Sequence, residues 1–397
     1  MKQSGRMISS DEAYTIVMQS VYAPDIEQTG INDALGRVLA EDIHSDTDMP
    51  PFDKSAMDGY ACRKEDLENE LEVIELIPAG KVPEKRVWKN QCAKIMTGAM
   101  LPDGADCVIM IEHTVETGKN SIRIIEVSTN LHICYKGEDV KNRDRVLQKG
   151  TLLYPRHIAI LASVGAVNPI VYKRPHVGII STGDELVEPE IKPSLSQIRN
   201  SNGSQLTAQV KQAGGLPRYY GIAGDTEEET FEIITQAMKE CDLLLISGGV
   251  SMGDFDFVPV VVQKTGFDIL FKSIAVQPGR PTLFGAMSGK FCFGLPGNPV
   301  SSFVQFELLV KPLIYKMMGA KYTPLSIRLP MAIDYQRKKT KRQLWIPVYI
   351  TEEGTVTPAE YHGSAHLSAY TDAHGMIPVP VGKSLIKKGE PVHVRSF

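Results

Sequence analysis

The sequence predicts an α/β chain that carries additional β-rich units. Three observations predict it. Apolar runs stop abruptly in glycine-bearing turns: residues 243–246 run into Ser247-Gly248-Gly249, 177–180 into Ser181-Thr182-Gly183-Asp184-Glu185, and 291–295 into Pro296-Gly297-Asn298-Pro299. Runs of this length bounded by glycine read as buried strands feeding loops. Between Val177 and about Gly319 such strands alternate with helical segments, the pattern of a doubly wound sheet. Residues 52–139 and 325–397 instead show short runs and tight turns, which read as all-β.

Taken in order, Ser9-Ser10-Asp11-Glu12 has the form of a capping box and starts a helix that runs through Val21. Ala13, Ile16, Val17 and Val21 form its apolar stripe. The spacing predicts a second short helix over 32–40. Residues 41–51 turn acidic and polar and end in two prolines, which marks a boundary. Strand-like runs follow at 71–77, 92–96, 106–111 and 122–127, with Thr117-Gly118-Lys119-Asn120 as a hairpin turn. Tyr154-Pro155 opens a helix to Val164, with proline near its first position. That helix is expected to pack back on the N-terminal pair. Residues 7–45 and 140–170 would then form one split domain, and 46–139 an insertion.

A second boundary falls at 169–175. Beyond it, strands at 177–180, 219–222, 243–246 and 291–295 lead to helices at 204–213, 227–239, from about 257, and 300–317. The first of these helices is closed by Gly214-Gly215. This α/β domain spans 175–320. After Pro324 the helical periodicity is lost, and turns such as Glu352-Glu353-Gly354 and Lys387-Lys388-Gly389 punctuate a small β domain at 325–397.

Composition excludes several function classes. The 397 residues are 43% hydrophobic and 23% charged, ordinary for a globular chain. A net charge of −4 supplies no basic field for nucleic acid. No stretch approaches the roughly 20 apolar residues of a membrane span, and the N-terminus shows no apolar signal segment. The six cysteines form no C-x-x-C pair, and several sit in strand-like runs. Buried thiols in a reducing cytoplasm are therefore expected rather than disulfides or a zinc site.

Chemistry concentrates at the strand ends. Glu185, Asp225, Asp254 and Asp256 each follow a strand of the α/β domain. Hard carboxylate oxygens so placed suit Mg²⁺, which takes one or two carboxylates plus phosphates and water. Helix capping accounts for the same residue types, most simply at Asp225 before a Glu-rich helix start. Ser247, Gly248 and Gly249 would bring backbone N–H groups close to a ligand. Gln277-Pro278-Gly279-Arg280-Pro281 sets a guanidinium on a rigid turn. Gly297-Asn298-Pro299-Val300-Ser301 offers N–H groups and a hydroxyl where an oxyanion is welcome. Arg337-Lys338-Lys339 and Lys341-Arg342 form a basic cluster that reads equally as a solvated hairpin tip. Asp58-Gly59 and Met96-Thr97-Gly98-Ala99 are either structural turns or site loops.

Seven stretches carry a family resemblance. PPFDKSAMDGYA (50–61), KIMTGAMLPDGAD (94–106), KGED (136–139), STGDEL (181–186), SGGVSMGDFD (247–256), QPGRP (277–281) and GLPGNPVSS (294–302) occur in this order. Together they resemble the molybdopterin molybdotransferases, the MoeA proteins of bacteria, which are similar to the gephyrin E domain. The resemblance implies a four-domain elongated chain with a MogA-like central α/β domain and a small C-terminal β-barrel. It implies Mg²⁺-dependent cleavage of adenylylated molybdopterin, AMP release, and insertion of molybdate at the dithiolene. It also implies a homodimer with the site between subunits, and molybdopterin adenylyltransferase and molybdoenzyme maturation proteins as partners.

Carried over by motif, Asp58 and Thr97 come from the inserted domain, with Asp139 near its base. Glu185, Asp225 and Asp256 line the α/β pocket, with Asp256 holding the metal and Asp254 second. Pro296 and Pro299 shape a loop, Ser301 and Arg280 face molybdate, and Gln277, Arg342 and Ser364 complete the set. Two departures stand out: Ser273, beside Lys272, replaces a basic residue, and the second arginine of the family's run after Arg342 is absent. These leave molybdate and tungstate both open. The other readings are a gephyrin-E-like dimeric scaffold and a nucleotide hydrolase of the competence-damage type.

Overall fold

The strand–helix alternation of the middle third builds the frame. The computed structural model describes residues 6–397 apart from 22–23, 128–129, 252–255, 362 and 364–365. Its central sheet has the order Leu216–Ala223, His176–Thr182, Leu243–Ser247, Lys290–Leu295, Leu283–Met287, Asp268–Phe271. The first four strands are parallel, and the last two run antiparallel to their neighbours. That antiparallel edge is not evident in the sequence pattern. Ser181 pairs with Ser247, and Ser247 with Leu295, so three strand ends stop at one level.

Alternate side chains of the same strands serve two cores, as a sheet buried on both faces requires. Val177, Ile179, Leu243, Leu245 and Phe293 pack with Leu206, Val210, Val304 and Leu313 on one face. Ile180, Leu244, Ile246 and Cys292 pack with Ile234, Ala237, Val258 and Val262 on the other. The long helix expected at 300–317 is interrupted: Pro299–Gln305 and Lys311–Met317 flank a π turn, Phe306–Val310. Within it, the buried Glu307 carboxylate accepts from Lys311 Nζ at 2.8 Å and from Gln209 Nε2 at 3.1 Å.

The N-terminal helix is Ser10–Gln19, and Ser9 Oγ accepts from Glu12 N–H at 3.0 Å. Its Ala13 and Val17 join the α/β core, while Ile8 exchanges main-chain hydrogen bonds with Ser273 and Ala275. The helix Pro155–Ser163 therefore does not pack on it; Leu161 and Val164 pack on Ala34, Leu39 and Ile43. The helix expected over 32–40 does not form. Only the 3₁₀ turn Ile31–Asp33 is present, because Gly36 takes φ +72° and its N–H donates to Leu153 O. Leu39 N–H then donates to Thr151 O, which commits this segment to extended pairing. Strand Ile26–Gln28 pairs with Ile170–Tyr172, and Ile43–His44 with Arg145–Leu147.

Between those pairings lies a six-stranded sheet ordered Cys107–Met110, Gly59–Cys62, Gln91–Ile95, Glu70–Ile77, Ser121–Ile124, Thr114–Gly118. Gly118 faces Ser121 across the hairpin turn that the sequence predicts. The C-terminal sheet is ordered Val276–Gln277, Gln343–Ile350, Gly375–Val379, Pro391–Arg395, Ser326–Pro330. Its first strand belongs, in sequence, to the α/β domain. All six cysteines are unpaired, and only Cys134 is not fully buried. Among the described residues no helix is long and apolar enough to cross a membrane.

Candidate functional site

The three level strand ends open onto a cleft of 580 Å³. Glu185, Asp225, Ser247, Gly248, Gly249 and Asp256 line it, with Pro296 from the third strand end. Gly248 sits at φ +99°, and a Cβ there would stand 2.6 Å from the Thr182 carbonyl oxygen. Only glycine lets these two loops close on one another.

Capping does not explain Asp225. Thr226, not Asp225, caps the helix Glu227–Glu240, its Oγ1 accepting from Glu229 N–H at 3.3 Å. Asp225 is instead tied to Asp184: each carboxylate accepts the other's backbone N–H, at 3.3 and 3.0 Å. The helix Val258–Lys264 has Phe257 at its cap position and no side-chain cap bond. Asp256 lines the cleft. Asp254 and Ser364 lie outside the described residues.

A second cavity of 320 Å³ adjoins the first and shares Pro281, Pro296 and Asn298 with it. Gln277, Arg280, Ser301 and Arg342 line it. Gly279 takes φ +101° and presses on Gln305, whose Nε2 donates to Pro278 O at 3.0 Å. That packing aims the turn. Arg342 Nη1 donates to Val276 O at 3.3 Å. Burial, and then the charge of Arg280, hold the Arg342 guanidinium below its usual range. Two guanidiniums that repel one another across a cavity favour an anion between them. Lys338, Lys339 and Lys341 line a further cavity of 450 Å³ that shares Gln277 and Arg342. Arg337 is not part of this basic wall; it is buried and donates to the carbonyls of Lys383, Arg342 and Pro380.

Pro299 lines neither cavity; it opens the helix Pro299–Gln305. Asp58 Oδ1 accepts from Thr97 N at 2.6 Å and Thr97 Oγ1 at 2.7 Å. Those two donors, the backbone first, pull the Asp58 carboxyl below its ordinary value. Asp58, Thr97 and Asp139 are exposed on the inserted unit and line neither cavity of their own chain. Sequence reasoning missed Asn202. Its Nδ2 donates to Ser247 Oγ at 2.6 Å and to Gly297 O at 2.7 Å, which joins two strand-end loops. The sequence offered only a polar cluster before a helix, where Asn200 is the actual cap.

Family models match in three blocks. The MoeA N-terminal region (domain I and II) matches residues 8–165, a probable molybdopterin binding domain 178–316, and the MoeA C-terminal region (domain IV) 328–397. The molybdopterin molybdenumtransferase of Staphylococcus epidermidis is 37% identical, over 98% of this chain and 95% of that protein. The chain belongs to the MoeA family. The protein of the same name from Bacillus subtilis is 37% identical over 98% of this chain and 93% of its own length. Among solved structures, the MoeA protein of Pyrococcus horikoshii OT3 superposes with a TM-score of 0.84 at 32% identity, covering 99% of this chain and all of that one. The strand-end cleft therefore lies within the block that matches a probable molybdopterin binding domain.

Proposed function

We propose that this chain is a molybdopterin molybdenumtransferase acting in molybdenum cofactor biosynthesis, and that it releases AMP from adenylylated molybdopterin as molybdate is inserted. The observation that carries this reading is the junction of two unlike cavities. Carboxylates of Glu185, Asp225 and Asp256 face one, guanidiniums of Arg280 and Arg342 the other, and the two share a wall. A ligand with a phosphate-linked body and a separate oxyanion fits that polarity.

The acidic cleft would repel a phosphoanhydride unless a cation stood between them. Its oxygen-only carboxylates suit Mg²⁺, with Asp256 and then Asp254 as ligands. When bound, the ion would neutralise charge on the phosphate oxygens. The chain's own residues do the positioning. The turn at Gly248-Gly249 allows close backbone approach, Asp225 stays fixed through its exchange with Asp184, and Ser301 and the arginines hold the anion.

Asp58, Thr97 and Asp139 complete this site in our reading only if a partner subunit presents them, so a homodimer is part of the proposal. We read the chain as four domains, 7–45 with 140–170, 46–139, 175–320 and 325–397. Upstream adenylyltransferase and downstream maturation proteins in the cytoplasm complete the assignment.

The test is AMP release from adenylylated molybdopterin, with and without Mg²⁺ and molybdate. Asp256→Asn is expected to slow release by roughly 10²-fold. Release by that variant at the parental rate removes Asp256 from the mechanism. Release indifferent to molybdate indicates a hydrolase, and no release under any condition indicates a scaffold.

A further inference from the structure

The cavity of 450 Å³ beside the arginine pocket is lined by Lys338, Lys339, Lys341 and Arg342, together with Gln277 and Thr340. Arg280 joins Arg342 in the adjoining cavity of 320 Å³. Among the described residues no carboxylate lines either cavity, and none of these cations forms an ion pair. The chain as a whole carries a net charge of −4, so this wall runs against the general balance.

Like charges repel, and a loose hairpin tip would let the lysines spread into solvent. This loop is fastened instead. Arg337 is 8% exposed; its backbone N–H donates to Ser384 O at 2.8 Å, and its guanidinium to Lys383 O at 2.8 Å and Arg342 O at 2.9 Å. In the middle of the loop, Thr340 O accepts from Gly382 N–H at 2.9 Å. At its far end, Gln343 N–H donates to Ala275 O at 2.9 Å. The backbone therefore holds the lysines round one concavity, at an electrostatic cost that a bound anion would offset.

Exposure falls in one direction. The three lysines are exposed, Arg342 is half-buried, and Ser301 in the next cavity is 3% exposed. Gln277 and Arg342 line both cavities, so an anion moving inward can keep the Arg342 guanidinium as a partner. The residue types follow the same order. An ammonium is a hydrated point charge that holds an anion without reading its shape, whereas a guanidinium offers a fixed fork. Lysines suit fast capture, and arginines beside a buried hydroxyl suit retention.

We propose that the loop 338–341 is the capture site for the oxyanion co-substrate: a tetrahedral dianion is first held by Lys338, Lys339 and Lys341, and then passes to the cavity of Arg280, Arg342 and Ser301. That the anion is molybdate rests on the proposed function; the anion site itself does not. A patch of one sign speeds association by about 10- to 1,000-fold, and the effect fades as salt rises.

The test measures initial rates of AMP release by the full-length protein against molybdate, at about 50 and about 300 mM NaCl, between which the screening length falls by more than half. The half-saturating molybdate concentration of the parent is expected to rise about threefold with salt. Replacing Lys338→Gln, Lys339→Gln and Lys341→Gln together is expected to raise it about tenfold at low salt and to weaken its salt dependence. The kcat at saturating molybdate and the KM for adenylylated molybdopterin should stay within about twofold of the parent, because the lysines act on capture and not on the reacting atoms. Lys338→Arg, Lys339→Arg and Lys341→Arg together keep the charge and should behave as the parent. Half-saturation unchanged by the glutamine substitutions, or raised equally by the arginine ones, overturns the inference. Should the triple glutamine protein not fold, the three single substitutions carry the test, each expected to raise half-saturation about twofold. If the parent releases no AMP, the proposed function fails, and calorimetric titration with molybdate alone decides the inference. Salt-sensitive binding that is lost in the triple glutamine protein supports capture, and binding that survives there overturns it.

Discussion

Asp58 shows what a single turn can do to a carboxylate. Two donors of Thr97 converge on one oxygen, so the ionised form is favoured although the group is exposed. Thr97→Val removes the hydroxyl and keeps the backbone donor, the larger cause. The Asp58 pKa is expected to rise part of the way toward its ordinary 3.8, as read by a carboxyl NMR titration. Because the folded value is depressed, this interaction stabilises the fold fully above about 3.8 and is lost as pH falls through the folded value. Gly248 is constrained from the other side. Gly248→Ala must place a methyl against Thr182 O at φ +99°, and should destabilise by about 1–3 kcal/mol in a denaturant titration. Positions of this kind were legible in the sequence, since acid and glycine at a strand end announce themselves. Their roles were less so. Whether Asp225 caps a helix or clasps Asp184 depends on a neighbour 41 residues away, which spacing does not encode.

At the scale of elements, parallel strands and their helices were the most legible, because burial on both faces leaves continuous apolar runs. The predicted helix over 32–40 fails for the opposite reason. Its local pattern is overridden by Gly36 and by pairing with residues more than a hundred positions away. The π turn was equally invisible, since apolar spacing on either side of it is helical. It holds the ion pair Glu307–Lys311 with side-chain exposures of 1% and 6%. Glu307→Ala leaves the Lys311 ammonium buried without its carboxylate, and is expected to cost about 3–5 kcal/mol in urea unfolding. Removing both charges, as Glu307→Gln with Lys311→Met, should recover most of that loss. A double variant as unstable as the single one would show that the charge pair is not the cause.

For the whole molecule, the residues of the proposed site fall into two groups that one chain does not unite. Asp58 and Thr97 sit on the inserted sheet, and Asp256 lies in the cleft of the α/β unit. If two chains assemble the site, Asp58→Ala and Asp256→Ala proteins should each be inactive. Refolding them together should restore about a quarter of parental AMP release, because half the dimers are mixed and each holds one intact site. No recovery, with mixed dimers shown by mass spectrometry, would refute a shared site. The convergence of Arg280 and Arg342 was likewise beyond the sequence, as it depends on how the last domain docks. That docking has a mechanical side. Val276–Gln277 hydrogen-bonds in parallel to Gln343 and Leu344 of the C-terminal sheet, and Arg280 follows three residues later. Arg342 is thus carried by the terminal unit, whereas Arg280 is held between that pairing and Gln305 of the α/β unit. A tilt of the terminal unit would change the spacing of the two guanidiniums while the carboxylates stay on the central strands. Opening and closing of the oxyanion end would then be geared to the pose of the tail, with no loop having to melt.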